Sequence, residues 1–510
     1  MSSGTPPMIV SVWSGMSSVE APLVGVAGQP STTGVAAWLT TTDHRQIGRM
    51  TIVASSVWLL VAATFGALVG WERIADSSLI FTEMASTQMV VLARILAVFG
   101  VLAPLLLGVA ISAVPGQIGA REMALPRLAL LGMYLWLFGT ATTTFAVLNN
   151  GVPGGDATMI DLHLLALGTT IVGLLAGWVA VFTTVATSRR AGLTLANASL
   201  LSWSSLVGAF AALITFPVLL GTVIYVGVDH RYGQLAFGGS KDIMEWLGWG
   251  STQPQTFIYS IVAFGLLAQL APAMARRSQP VKGAMLVGIG LVASAAVGTV
   301  SQTAHVFVWD GTLADKLQSL VPFALYNGLP LLGALIVLAL SLLALKGSNP
   351  KLLVPFVPVF LGAGMVLTGM LGNLVQHIES TNLIGTTFDE GARIYMVYGA
   401  ALTAWGAIAY FGPSWTARTM KASAVLVVSA VGFLGTVLAG LPMYVAGFAG
   451  QPADEVSGFD YSGPSAVFNA ISTLGHAAML LAVAGGAALA LKSFATGPQT
   501  GTNPWGVEEQ

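Results

Sequence analysis

Imidazoles are the commonest metal ligands among side chains, and this chain carries six, at His44, His163, His230, His305, His377 and His476. Their spacing does not assemble a ligand set. No histidine lies between His44 and His163, between His230 and His305, or between His377 and His476. No pair has the His-x-x-x-His spacing that places two rings on one helix face. Cysteine is absent, which removes disulfides and thiolate metal sites. His305 is a weak candidate for a metal ligand, and its simpler reading is a hydrogen-bonded histidine inside a helix bundle. His163 reads as packing or hydrogen bonding and His44 as a surface or capping residue. His230, His377 and His476 fall near the ends of apolar stretches. Met84, Met89 and Met396 read as core.

The sharper features are two cations, Arg94 and Arg393, inside apolar stretches. A charge there costs ~2.5–3.5 kcal/mol on insertion scales and normally faces a partner or water. Arg393 stands near the start of its stretch, where a long side chain can snorkel outward. Arg94 lies two turns in, where that escape is less available. Both are candidate buried charges, with Glu83, Glu379, Asp389 and Glu390 as the available partners.

The elements that must position these residues are membrane helices. The chain has 510 residues, 55% of them apolar and 8% charged, with mean hydropathy +0.80. A soluble chain carries about 25% charge. Twelve apolar runs are long enough to cross ~30 Å of hydrocarbon: 51–71, 86–112, 128–148, 161–187, 199–227, 254–275, 283–308, 318–345, 352–372, 391–411, 422–446 and 466–491. The predicted fold class is therefore an all-α integral membrane bundle. With the N-terminus inside, 14 Lys and Arg fall on the inner side and only Arg73, Arg231, Lys241 and Lys316 on the outer side. That bias predicts cytoplasmic termini and a place in the cell membrane, with the lipid bilayer as first partner. A net charge of −1 leaves no basic footprint for nucleic acid. Residues 1–38 are polar and lack a signal peptide's charged start and apolar core. They read as a mobile cytoplasmic arm, 39–493 as the membrane domain, and 494–510 as a cytoplasmic tail.

Four stretches, in order, are similar to haem-copper oxidase subunit I, the large chain of cytochrome c oxidase. Thr42-Asp43-His44-Arg45-Gln46-Ile47-Gly48 resembles that family's entry into its first span. Ile118-Gly119-Ala120-Arg121-Glu122-Met123-Ala124-Leu125-Pro126-Arg127 resembles the loop between its second and third spans. Leu162-His163-Leu164 resembles its fourth span, and Phe216-Pro217-Val218-Leu219-Leu220-Gly221, ending at Asp229, its fifth. The likeness covers about 40–490. It implies a twelve-span fold, subunit II-like and III-like partners, and haem and copper if the family's activity is retained.

The same resemblance marks where ligands would stand. Gln88 takes the place of the second-span haem histidine. In Thr252-Gln253-Pro254-Gln255-Thr256-Phe257, Gln253 replaces a copper ligand, Gln255 the proton-delivering glutamate and Phe257 the redox tyrosine. Ala304-His305 stands for a histidine pair, and Ala392 and Ile394 for two haem ligands. Of the six imidazoles implied, His305 alone is kept. Glutamine's amide is a poor donor to copper or haem iron. Glu122 keeps the carboxylate that opens one proton channel, but Leu128-Ala129-Leu130 follows where asparagines are implied. The stretch 318–345 has no lysine for a second channel, and Met443-Tyr444 stands where an arginine pair would hold propionates. The absence of Cys-x-x-Cys-His also excludes covalent haem attachment. The expectation is a degenerate member with no cofactor, a structural or accessory subunit of a respiratory assembly rather than an enzyme. Two alternatives remain: an active terminal oxidase subunit with unusual haem ligation, and a transporter or channel reusing the emptied cavity.

Overall fold

The computed structural model describes residues 35–75, 80–234, 236, 243–252, 256–300, 306–348, 350, 352–453, 455–456, 459–501 and 505. The chain divides into Met1–Thr40 and Thr41–Gln510. In the first unit only a short helix, Val35–Leu39, and Thr40 are described. The rest of the expected arm lies outside the described residues.

The second unit is all helical. Twelve helices are long and apolar enough to span a membrane. In chain order they are α1 His44–Glu72, α2 Glu83–Gln117, α3 Pro126–Leu148, α4 Ala157–Thr187, α5 Leu200–Tyr232 and α6 Phe257–Ala275. They continue with α7 Lys282–Thr299, α8 Leu313–Leu345, α9 Phe356–Gln376, α10 Thr387–Thr416, α11 Ala422–Phe448 and α12 Pro464–Thr496. Each overlaps one predicted stretch. Several run further because polar residues cap them. Asp43, Thr82, Asp156, Ser199 and Thr386 each accept a backbone N–H of the helix they start. Large apolar side chains such as Phe138, Leu165, Leu481 and Leu491 face outward, where lipid rather than water suits them. The protein is an integral membrane protein.

Two helices contain a π-turn, Leu96–Leu102 in α2 and Ala324–Gly328 in α8. Each ends two residues before a proline, Pro104 or Pro330. A proline lacks the N–H for the i−4 carbonyl and crowds it, so the preceding turn widens. In α2 the Phe99 carbonyl accepts the Trp136 indole N–H from α3 at 2.8 Å. In α8 the π-turn places Asn327, fully buried, with neither amide atom hydrogen-bonded.

Helices touch backbone to backbone where glycine permits. A Cβ on Gly475 of α12 would fall on the Ala439 amide of α11, and Ser472 donates to the Ala439 carbonyl at 2.9 Å. Small residues give such close approaches in membrane bundles.

The last helix runs to Thr496, beyond the boundary expected at 493. Part of the predicted tail is docked. Arg418 donates to the Gly497 carbonyl at 2.7 Å, and Trp505 stacks on Tyr410 with ring centroids 6.1 Å apart.

Candidate functional site

A polar interior region lies where α1 ends and α10 and α12 begin. Asp389 and Glu390 stand in the first turn of α10, where the helix dipole favours carboxylates. Arg393 follows Asp389 by one turn and donates to it at 2.8 Å. This is the standard i,i+4 geometry. Glu390 takes a different partner. Arg73, the C-cap of α1, donates to the Glu390 carboxylate at 2.8 Å and to the carbonyls of Ala453 and Glu455. Its side chain is 1% exposed and that of Glu390 15%. Arg73 was expected as an outer loop cation; it is instead a buried one, held by the Ala453 and Glu455 carbonyls that follow α11. Tyr461 donates to the same Glu455 carbonyl at 2.7 Å. Asn469 of α12 donates to the Arg73 carbonyl at 3.1 Å and exchanges amide bonds with Gln451.

Deeper along α10, Tyr398 meets His476 of α12, hydroxyl to Nδ1, at 2.6 Å. The ring of His476 lies against Gly66 of α1, where a Cβ would come within 2.7 Å of Cε1. Between these groups is a cavity of about 50 Å³. Ala62, Gly66 and Val69 face it from α1, and Val90, Ala93 and Ala97 from α2. The α10 face supplies Glu390, Arg393, Ile394, Val397 and Tyr398. The recurrence at i, i+3, i+4, i+7 and i+8 is one helical stripe.

The structure thus brings Arg393 and Ile394 to one cavity. Ala392 is buried beside them, with its carbonyl packed on Gly369 of α9. Gln88 is half-buried on α2 and is not among the residues facing the cavity. Arg94 is half-buried on α2. Glu83 and Glu379 are exposed, so neither supplies a buried counter-ion. Phe257 is fully buried at the start of α6, and Glu122 is exposed in the loop between α2 and α3. Met443 is buried, and Tyr444 stacks on Tyr395 with centroids 5.3 Å apart. Gln253, Gln255, Ala304 and His305 lie outside the described residues. Among the described residues, no three His, Asp or Glu side chains gather as a metal would require.

The other histidines are accounted for locally. His44 is buried at the start of α1, not on the surface. His163 is buried, its Nδ1 donating to the Gly151 carbonyl at 2.8 Å. His230 shares Asp161 with Arg231, at 2.8 and 2.9 Å. His377, just past α9, donates from Nδ1 to the Asn373 carbonyl at 2.6 Å.

Burial holds the His377 imidazole below its ordinary range, against smaller opposing pulls from the Asn373 carbonyl and Asp389. The unfolded chain therefore takes a proton here at higher pH than the folded one. As pH falls through about 6.5 the unfolded state binds more protons, and stability drops until the folded pKa is passed. Replacing His377 with glutamine is expected to remove that share of the acid sensitivity. Unfolding temperatures from pH 8 to pH 5 test this: the gap between wild type and variant should narrow on acidification. Parallel curves would mean that His377 contributes nothing to the slope.

The family model for cytochrome c and quinol oxidase polypeptide I matches residues 46–485, nearly the whole bundle. The chain belongs to that family. Cytochrome c oxidase subunit 1 of Corynebacterium diphtheriae is 27% identical over 302 residues, 54% of this chain and 52% of that protein. Cytochrome c oxidase subunit 1 of Bacillus subtilis is 23% identical over 495 residues, 92% of this chain and 77% of that protein. The chain thus spans about half the length of its more identical curated relatives and most of the length of a more distant one. The bundle was legible from its apolar runs and the family from ordered motifs. The Arg73–Glu390 pair and the Tyr398–His476 pair were not, because each joins residues far apart in sequence.

Proposed function

We propose that this subunit I-like protein is a non-catalytic member of its family, serving as a structural or accessory subunit of a respiratory assembly in a bacterial cell membrane. Its partners in this reading are subunit II-like and III-like chains. The observation that carries it is the small space beside the tenth-span ligand positions. Ala392 and Ile394 offer no donor atom. The adjoining cavity is about 50 Å³, whereas cofactor pockets run roughly 300–1,000 Å³. Packing closes the surroundings: a Cβ on Gly369 would meet the Ala392 carbonyl at 2.7 Å, and one on Gly391 the Gly440 carbonyl at 2.9 Å. Nε2 of His476 is buried and without a hydrogen-bond partner, but the space before it does not admit a macrocycle. A haem does not fit these residues.

The test is a pyridine haemochrome spectrum and elemental analysis of the full chain purified from an aerobic, haem-producing host. The expected result is substoichiometric haem and copper, co-purification with oxidase-type subunits, and no oxygen uptake by this chain. Stoichiometric haem would overturn the reading and favour an active subunit with unusual ligation.

A further inference from the structure

The α1–α2–α10–α12 cavity contains one unanswered polar atom. His476 is 4% exposed, and its Nε2 has no hydrogen-bond partner. Its Nδ1 is taken by the Tyr398 hydroxyl at 2.6 Å. The ring cannot swing toward α1, because Gly66 already holds that side at contact distance. A buried polar atom left unpaired is costly, and native structures seldom leave one so.

His476 faces the same cavity as Glu390 and Arg393. A water molecule takes roughly 30 Å³ of liquid and needs two to four polar partners. The cavity of about 50 Å³ has room for a few waters, since roughly 10–15 Å³ of such space holds one. The charge balance points the same way. Arg73 neutralises Glu390, and Asp389 neutralises Arg393. With both pairs closed, the walls favour a neutral guest that both donates and accepts. A purely apolar cavity of this kind would stay dry; this one presents Glu390, Arg393, Tyr398 and His476.

We infer that the cavity is a buried hydration site, in which ordered water bridges His476 Nε2 to the Glu390 carboxylate. The bridge joins Tyr398–His476 to Glu390–Arg73 in one hydrogen-bonded line, from the interior of the bundle to the end where α1 stops. The inference rests on the reading that no macrocycle occupies this space.

Water-edited solid-state NMR of the full chain, with 15N-labelled histidine and in lipid, tests it. The His476 signal is assigned by its loss in His476→Gln, or by its shift in Tyr398→Phe if the first variant does not fold. The expected result is rapid magnetisation transfer from water to His476 despite its burial. Transfer should be lost in Ala97→Leu, which fills the cavity. Transfer as slow as that to the dry core would overturn the inference, as would rapid transfer that survives Ala97→Leu. A haem signal in the same preparation would instead overturn the functional reading beneath it, so the two failures are distinguishable.

Discussion

Replacing Glu390 with leucine is expected to destabilise the protein by about 3–5 kcal/mol, the usual cost of stranding one charge of a buried pair. Arg73 cannot relax into water, because its side chain is 1% exposed and bonded to two carbonyls of the 449–463 connection. Removing the other partner as well should recover part of the loss. Arg73→Met with Glu390→Leu removes both charges of this pair, and apolar replacement of a buried pair is often neutral. Recovery is incomplete, because the Ala453 and Glu455 carbonyls then lose their guanidinium donor. Equilibrium unfolding of the four proteins in mixed micelles, followed by circular dichroism, gives the cycle. A Glu390→Leu loss below about 1 kcal/mol, the size of an exposed surface pair, would mean that the ion pair is not buried as described.

Gly475→Leu is expected to cost about 3 kcal/mol or more, at or beyond the upper end of ordinary overpacking. The first added carbon lands on the backbone of Ala439, not on a side chain that can turn away. α11 and α12 must separate, which also breaks the Ser472 bond to the Ala439 carbonyl and shifts His476. Gly364 of α9 provides the contrast, since a Cβ there meets nothing within 4 Å. Gly364→Ala should be neutral or stabilise by up to about 1 kcal/mol, the gain of replacing glycine in a helix. Thermal denaturation of both variants in the same detergent decides it. Equal behaviour of the two would refute the close crossing of α11 and α12.

The bundle was readable because hydrocarbon imposes length and composition on every span separately. No distant information is needed to see that 128–148 or 422–446 must cross. Membership in the family was readable from short motifs such as Ile118–Arg127. The interior charges were only half readable. Arg393 announces itself, being a cation in an apolar run with an aspartate one turn earlier. Arg73 does not. It follows an apolar run as any loop cation would, and the carboxylate that buries it lies 317 residues away. His476 was similarly opaque, because its meaning comes from Tyr398 on another helix and from Gly66 on a third. Periodicity finds the faces of helices, but not which faces meet.

The long sequence separation of Arg73 from Glu390 bears on biogenesis. At ~5–20 residues per second, a ribosome needs roughly 15–60 s to make the carboxylate after the guanidinium has emerged. Through that interval the Glu390 half of the pair does not yet exist. α1 is therefore made before its bond to Glu390 can form. That bond joins α1 to α10 only after the tenth segment has been made, so this contact belongs to the later stage of synthesis.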